Sequence, residues 1–163
     1  MKPFSGAIRI QEIYEALTPF KLRYPYRFVK DNNTLEFRTE LFHEREKDEY
    51  VDEAKEIEIG TNYKLRPVII ISYSEHSNTY LAMAITKVKD ANRDYLLAIA
   101  KDEIKERHLL FLRKYSGTLK YDSIVLVDAI YLLTDKNIYY CRGPLEDEDY
   151  VTIQGKLKKV LFS

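Results

Sequence analysis

Four consecutive β-branched residues, Val68-Ile69-Ile70-Ile71, follow directly on Lys64-Leu65-Arg66-Pro67. Side chains branched at Cβ sit comfortably on extended backbone, and a continuous apolar run of this length reads as a strand buried on both faces. Proline fixes φ and is tolerated at a strand's first position, so Pro67 marks an opening and does not argue against the strand. The run therefore belongs at the centre of a core. Arg66 is the informative residue beside it, because a charge anchored to a rigid strand end has its position defined by the core behind it. Rigid anchoring is what a catalytic charge requires.

Two further stretches share this character. Tyr80-Leu81-Ala82-Met83-Ala84-Ile85-Thr86 ends an apolar run in a threonine, and Asp122-Ser123-Ile124-Val125-Leu126-Val127-Asp128-Ala129-Ile130 runs through another buried strand. In order, Arg66-Pro67-Val68, Ala84-Ile85-Thr86 and Asp122-Ser123 with Ile130 behind it resemble the three signature blocks of the MazF/PemK/Kid toxins. These are small ribosome-independent endoribonucleases of bacterial toxin–antitoxin modules. The resemblance covers residues 57–163 and is carried by the order and spacing of the blocks.

A chain of 163 residues is long enough to bury a core without covalent staples and is read here as a single domain, with residues 1–56 as an N-terminal extension. Its 26 basic and 26 acidic residues cancel, which argues against a general nucleic-acid coat but not against a local positive patch. One cysteine, Cys141, excludes an intrachain disulfide framework and a cysteine zinc cluster; it fits a reducing cytoplasm as a half-buried strand thiol. The N-terminus Met-Lys-Pro-Phe-Ser-Gly lacks a leader's apolar region and no window reaches a membrane span, so a cytoplasmic protein is expected. Fourteen tyrosines and no tryptophan are an unusual mixture, and tyrosine serves both as a strand former and as a stacking surface for RNA bases.

Along the chain, Ile10, Ile13, Tyr14 and Leu17 recur at helical spacing, which predicts a short amphipathic helix over Ile8–Leu17 ended by Thr18-Pro19. Tyr24–Val29 and Thr34–Phe42 are β-prone runs around Asp31-Asn32-Asn33 and predict a hairpin, with Leu35–Leu41 as the first strand of the barrel. From Glu40 to Glu58 nine acidic residues face Arg45, Lys47 and Lys55. Such a run is ordinarily a solvated surface; the sharper reading is a negative flap beside a groove. Taking those nine from the 26 acidic residues and three from the 26 basic ones leaves 17 against 23, so the rest of the chain is positive.

Tyr95–Ala100 reads as a strand, Lys101–Arg107 as a charged connection that is long relative to the family, His108–Leu112 as apolar again, and Ser116-Gly117 as a turn. Asp122–Thr134 is expected to supply two consecutive strands, with Asp135–Asn137 leading tightly into Ile138–Arg142 and Gly143-Pro144 breaking the sheet. Glu146–Asp149 then places acids where a helix N-terminus favours them. Tyr150, Ile153, Leu157, Val160 and Leu161 follow at helical spacing and predict a C-terminal helix.

Cleavage of RNA through its own 2′-hydroxyl needs an in-line nucleophile, a stabilised phosphorane and proton transfers. Arginine suits the second task, since its planar fork donates two hydrogen bonds to phosphate oxygens, and it is unfit for the third because it stays protonated. The resemblance implies that Arg66 is the catalytic arginine and Thr86 the second active-site residue. Read without the family, Arg66 would pair with a surface carboxylate and Thr86 would be ordinary strand composition. Ser123 matches the third block as well, but a serine opening a buried strand reads as structural. Tyr63, Lys64, Lys87 and Lys89 are expected to contact phosphates or bases from adjoining loops.

His43, His76 and His108 stand singly, without metal-ligand spacing, and no Walker sequence, Gly-x-Ser-x-Gly elbow or Cys-x-x-Cys occurs, so neither metal nor cofactor is expected. Asp122 and Asp128 read as turn caps and not as an acid/base pair. The resemblance thus implies an SH3-like small β-barrel with a C-terminal helix. Its activity would be metal-independent cleavage of single-stranded RNA to a 2′,3′-cyclic phosphate and a 5′-hydroxyl. Its partners would be mRNA, a twin copy in a homodimer, and a cognate antitoxin. The rivals are a non-catalytic barrel that only binds, and a gyrase-inhibitor-like relative that keeps the sheet without the arginine site.

Overall fold

A computed structural model of the chain describes residues 2–20, 26–30, 37–41, 59–60, 62–88, 93–94, 109–112, 115 and 117–162. Among the described residues nine strands run in order: β1 Glu12–Phe20, β2 Tyr26–Lys30, β3 Phe37–Leu41, β4 Ile59–Gly60, β5 Asn62–Ser74, β6 Thr79–Lys87, β7 Leu109–Leu112, β8 Ser123–Leu133 and β9 Ile138–Pro144. A C-terminal helix, α1, spans Asp147–Phe162. The acidic residues 42–58, Tyr95–Ala100, Lys101–Arg107 and Lys89 lie outside the described residues.

The chain divides into two compact units, one of Met1–Thr18 with Leu65–Ser163 and one of Pro19–Lys64, with a boundary that falls inside β5. The smaller unit holds a three-stranded sheet in the order β3-β2-β4, whose β2–β3 pair is the expected hairpin, antiparallel from Tyr26↔Leu41 to Lys30↔Phe37. The larger unit holds a six-stranded sheet in the order β7-β8-β6-β5-β1-β9 with α1. It is mainly antiparallel β, barrel-like and not closed: among the described residues β7 and β9 remain its two edges.

The β-branched run lies at the centre of the larger sheet as expected, but β5 begins at Asn62 and not at Pro67, so Arg66 and Pro67 are interior to the strand. Alternate residues of β5 feed different clusters: Ile69 and Ile71 pack with Ile13, Met83, Ile85, Val125 and Val127, while Val68 and Ile70 pack with Tyr14, Ala16, Ala82 and Ile138. The first cluster is covered by α1, which seats Ile153, Tyr150, Leu157 and Val160 against it. The expected helical stripe is present with one correction: Leu161 is 54% exposed and takes no part in it. Gly155 lies on the exposed side with nothing near it, so the helix loses only its conformational preference there. The second cluster is capped by Phe4 and Ile8 from the N-terminal segment, whose Phe4 N–H donates to the Ile138 carbonyl at 2.7 Å.

Three expectations are corrected. The helix over Ile8–Leu17 does not form; residues from Glu12 onward are strand β1, which lies between β5 and β9 inside the sheet. Ile13 faces one cluster while Tyr14 and Ala16 face the other, so a strand covered on both sides carries no two-residue period, and four apolar residues mimic the helical one. Gln11 breaks any helix there at φ 69°. It crosslinks the chain instead: its N–H donates to the Ile70 carbonyl at 2.8 Å, and its side-chain amide donates to the Leu145 carbonyl at 3.0 Å and to Asp147 at 2.5 Å.

Second, the Leu35–Leu41 candidate for the first barrel strand is β3 of the small sheet; β1 holds that place in the larger one. Third, Asp122–Thr134 is one strand, β8, and not two. Its ladder to β6 slips between Met83↔Ile130 and Ala84↔Leu126, which leaves residues 127–129 without partners on β6. A bulge of this kind bends a strand without ending it.

The remaining segments follow their composition. His108–Leu112 yields β7, and Asp135–Asn137 forms a 3-10 turn into β9. That strand runs on through Gly143, at φ 132°, to Pro144, both paired with β1, so the sheet breaks after this dipeptide and not at it. No helix among the described residues is long and apolar enough to cross a membrane.

Candidate functional site

The β5–β6 hairpin is fixed by its turn at residues 75–78, where Asn78 adopts φ 50° and accepts a 2.8 Å hydrogen bond from the Tyr73 hydroxyl. Tyr73 and Tyr80 pair across it with ring centroids 4.8 Å apart. From there the ladder runs antiparallel to Ile69↔Met83 and Val68↔Ala84. Arg66 and Thr86 each lie two residues beyond that last pair on their own strands, so both stand past the end of the ladder, at the hairpin's open end. Alternation puts both on the face of Val68, Ile70 and Ala82. Ile124 stands opposite Thr86 on β8 and belongs with Leu109, Val88 and Leu126 to a small apolar cluster at this end of the sheet.

Arg66 is half-buried and makes no ion pair with any described residue. The carboxylate partner that an ordinary strand-end arginine would have is therefore missing among the described residues. Arg142 on β9 shows the contrast. Its guanidinium is held by Glu15, with Nε at 2.7 Å from Oε1, beside a shallow groove of about 430 Å³ lined by Leu65, Tyr139 and Tyr140. That groove offers a neutralised arginine, whereas Arg66 has no neutralising carboxylate among the described residues.

Lys87 follows Thr86, stands opposite Ser123, and places its ammonium 4.1 Å from the centre of the Tyr121 ring. Lys120 approaches the same ring at 5.4 Å. Ser123 is buried and spends its hydroxyl on the Tyr121 carbonyl at 2.7 Å, which is the structural use expected of it. Asp122 lies 4.0 Å from Arg93 and its carbonyl accepts from the Val88 N–H at 2.9 Å; Asp128 is exposed. Tyr63 and Lys64 are exposed on the part of β5 that belongs to the smaller unit. The sheet thus sets Arg66 and Thr86 on one face at this end and Lys87 on the other, where Tyr121 and Lys120 join it. These two were missed because nothing in the sequence links Lys120-Tyr121 to Lys87 until β6 pairs with β8.

Other ionisable clusters serve the fold. Burial, and then its hydrogen bond to Glu12 at 2.5 Å, pushes the Tyr14 phenol well above its ordinary range; Phe4 meets its ring edge-on at 5.6 Å. Burial and the Glu12 carboxylate likewise raise the Cys141 thiol, which is half-buried as expected and is disfavoured as a nucleophile. Tyr115 is shifted upward by burial and then by Asp149. Its hydroxyl donates to Asp149 at 2.6 Å and accepts from the Glu146 N–H at 2.9 Å, tying the start of α1 to the core. Among the described residues no three His, Cys, Asp or Glu side chains are grouped to hold a metal ion.

No protein-family model and no curated protein matches the chain. Among solved structures it is similar to an endoribonuclease in complex with its cognate antitoxin, from a mycobacterial species. The TM-score is 0.51 at 13% sequence identity, over 95% of this chain and 95% of that one. At that identity the likeness concerns the fold.

Proposed function

We propose that this chain is a metal-independent endoribonuclease of the MazF/PemK kind, cutting single-stranded RNA with Arg66 and Thr86 as its catalytic residues. The observation that carries the reading is Arg66 itself: a guanidinium carried by β5 at the same open end of the hairpin as Thr86, with no carboxylate neutralising it among the described residues. The similarity in fold to an endoribonuclease points the same way.

In this mechanism the 2′-oxygen of a ribose attacks the adjacent phosphorus, losing its proton as the bond forms. The bond from phosphorus to the 5′-oxygen breaks, and that oxygen takes up a proton. The products are a 2′,3′-cyclic phosphate and a 5′-hydroxyl. Arg66 donates to the phosphorane oxygens, where negative charge is greatest in the transition state, and Thr86 adds a neutral donor to the same group. Neither residue moves the protons, which leaves those transfers to solvent or to the RNA's own groups.

The direct test is to incubate the purified protein with a long single-stranded RNA in EDTA and map the ends. Cleavage with cyclic-phosphate termini is the expected result. RNA that is bound but stays intact would leave a binding module in place of an enzyme. A homodimer and a cognate antitoxin belong to the same proposal. The exposed Val151, Leu161 and Phe162 of α1 offer apolar surface to such partners. Light scattering at micromolar concentration should give twice the 19.3 kDa chain mass; a monomer removes the dimer and leaves the cleavage proposal standing.

A further inference from the structure

Tyr121 is 47% exposed, and its backbone is pinned from two sides. Ser123 donates to its carbonyl, and the next carbonyl, of Asp122, accepts from Val88 at the end of β6. Two ammonium groups, of Lys87 and Lys120, stand over this ring at 4.1 and 5.4 Å. An aromatic face on rigid backbone between two cations is the minimal unit with which proteins hold single-stranded nucleic acid: a base stacks on the ring while the cations meet the flanking phosphates.

We propose that Tyr121, Lys87 and Lys120 form a nucleotide subsite that takes one unpaired base of single-stranded RNA and its two phosphates, next to the cleaved linkage. This rests on the endoribonuclease reading and adds residues to it. A cation over an exposed ring is held less strongly than a stacked base, so an incoming base displaces the Lys87 ammonium and frees it for phosphate. Thr86 and Lys87 are consecutive on β6, so their side chains leave opposite faces of the sheet. An RNA strand that meets both rounds the end of β6. The base on Tyr121 is therefore a neighbour of the cleaved phosphate and not part of it. Its contacts are equal in ground and transition states and show in KM, with kcat unchanged.

The experiment uses the full chain, a 2′-O-methyl single-stranded RNA that binds but cannot be cut, and an unmodified RNA for kinetics. Tyr121→Ala is expected to weaken binding of the uncleavable RNA roughly tenfold or more, with the salt dependence unchanged, while Tyr121→Phe binds as the parent does. Lys87→Ala and Lys120→Ala should each weaken binding and lower the slope of log affinity against log salt by about one. On cleavable RNA, Tyr121→Ala should raise KM and leave kcat. Parental affinity in Tyr121→Ala, with RNA still cut, overturns the subsite and spares the nuclease reading. A parent protein that neither binds nor cuts RNA overturns both.

Discussion

Arg66→Ala is expected to lower the rate of RNA cleavage by about 100-fold or more while leaving the fold intact. The magnitude is that of removing one preorganised donor from charge that exists only in the transition state. Its side chain is half-buried on β5 and pairs with no described carboxylate, so truncating it strands no buried partner there. Circular dichroism and the unfolding midpoint should match the parent. Arg66→Lys should recover only part of the rate, because an ammonium keeps the charge and loses the two-pronged geometry. Thr86→Val keeps shape and strand preference and should reduce the rate in the same direction by less. A variant lacking the guanidinium that cuts RNA as fast as the parent would remove Arg66 from the site.

Ile69→Ala should destabilise the fold by about 2–5 kcal/mol, a large share of the roughly 5–15 kcal/mol that holds an ordinary domain together. Ile69 is fully buried on β5, between β1 and β6, and packs in the cluster that α1 covers, so the deleted carbons leave a cavity in the middle of the unit. Leu132→Ala is the matched control: Leu132 is 72% exposed, and its truncation should stay within about 0.5 kcal/mol of the parent. Urea unfolding monitored by tyrosine fluorescence measures both. Ile69 lies on the sheet face opposite that of Arg66, so wherever the variant is still folded its cleavage rate should be close to parental. A loss below about 1 kcal/mol would mean that β5 is not the centre of the core.

How far each element could be read from the sequence depended on how many structures its pattern fits. Four β-branched residues in a row fit one, and β5 lies where Val68 to Ile71 put it. The stretch from Ile10 to Leu17 fits two, because apolar residues on both faces of a covered strand fall by chance at helical spacing. What decided between them is the backbone of Gln11 and the slot between β5 and β9, neither of which is a local property. For β8 the apolar runs were visible, but the slip opposite Met83 and Ala84 belongs to its pairing with β6 and leaves no mark on its own sequence. Arg66 and Thr86 were expected as a pair from the family resemblance and not from their composition, since Arg66 only precedes one apolar run and Thr86 only closes another. Tyr121 was not, since in a chain with 14 tyrosines only the approach of Lys87 sets this one apart.

The order of strands also sets a timetable. β5 and β6 are neighbours in sequence and in space, so the hairpin that carries Arg66 and Thr86 can close almost as soon as it is made. β1 has to wait: its outer partner is β9, and Glu12 meets Pro144 only after nearly the whole chain exists. At about 5–20 residues per second, synthesis keeps that edge of β1 open for on the order of ten seconds. α1, which covers the face bearing Ile69, comes later still. The charged end of the hairpin is thus among the first parts able to form and the shelter of its core among the last. A message truncated just before Ile138 would yield a chain with its β1 edge exposed and no helix to cover the core, a species more prone to pair with its like than to work.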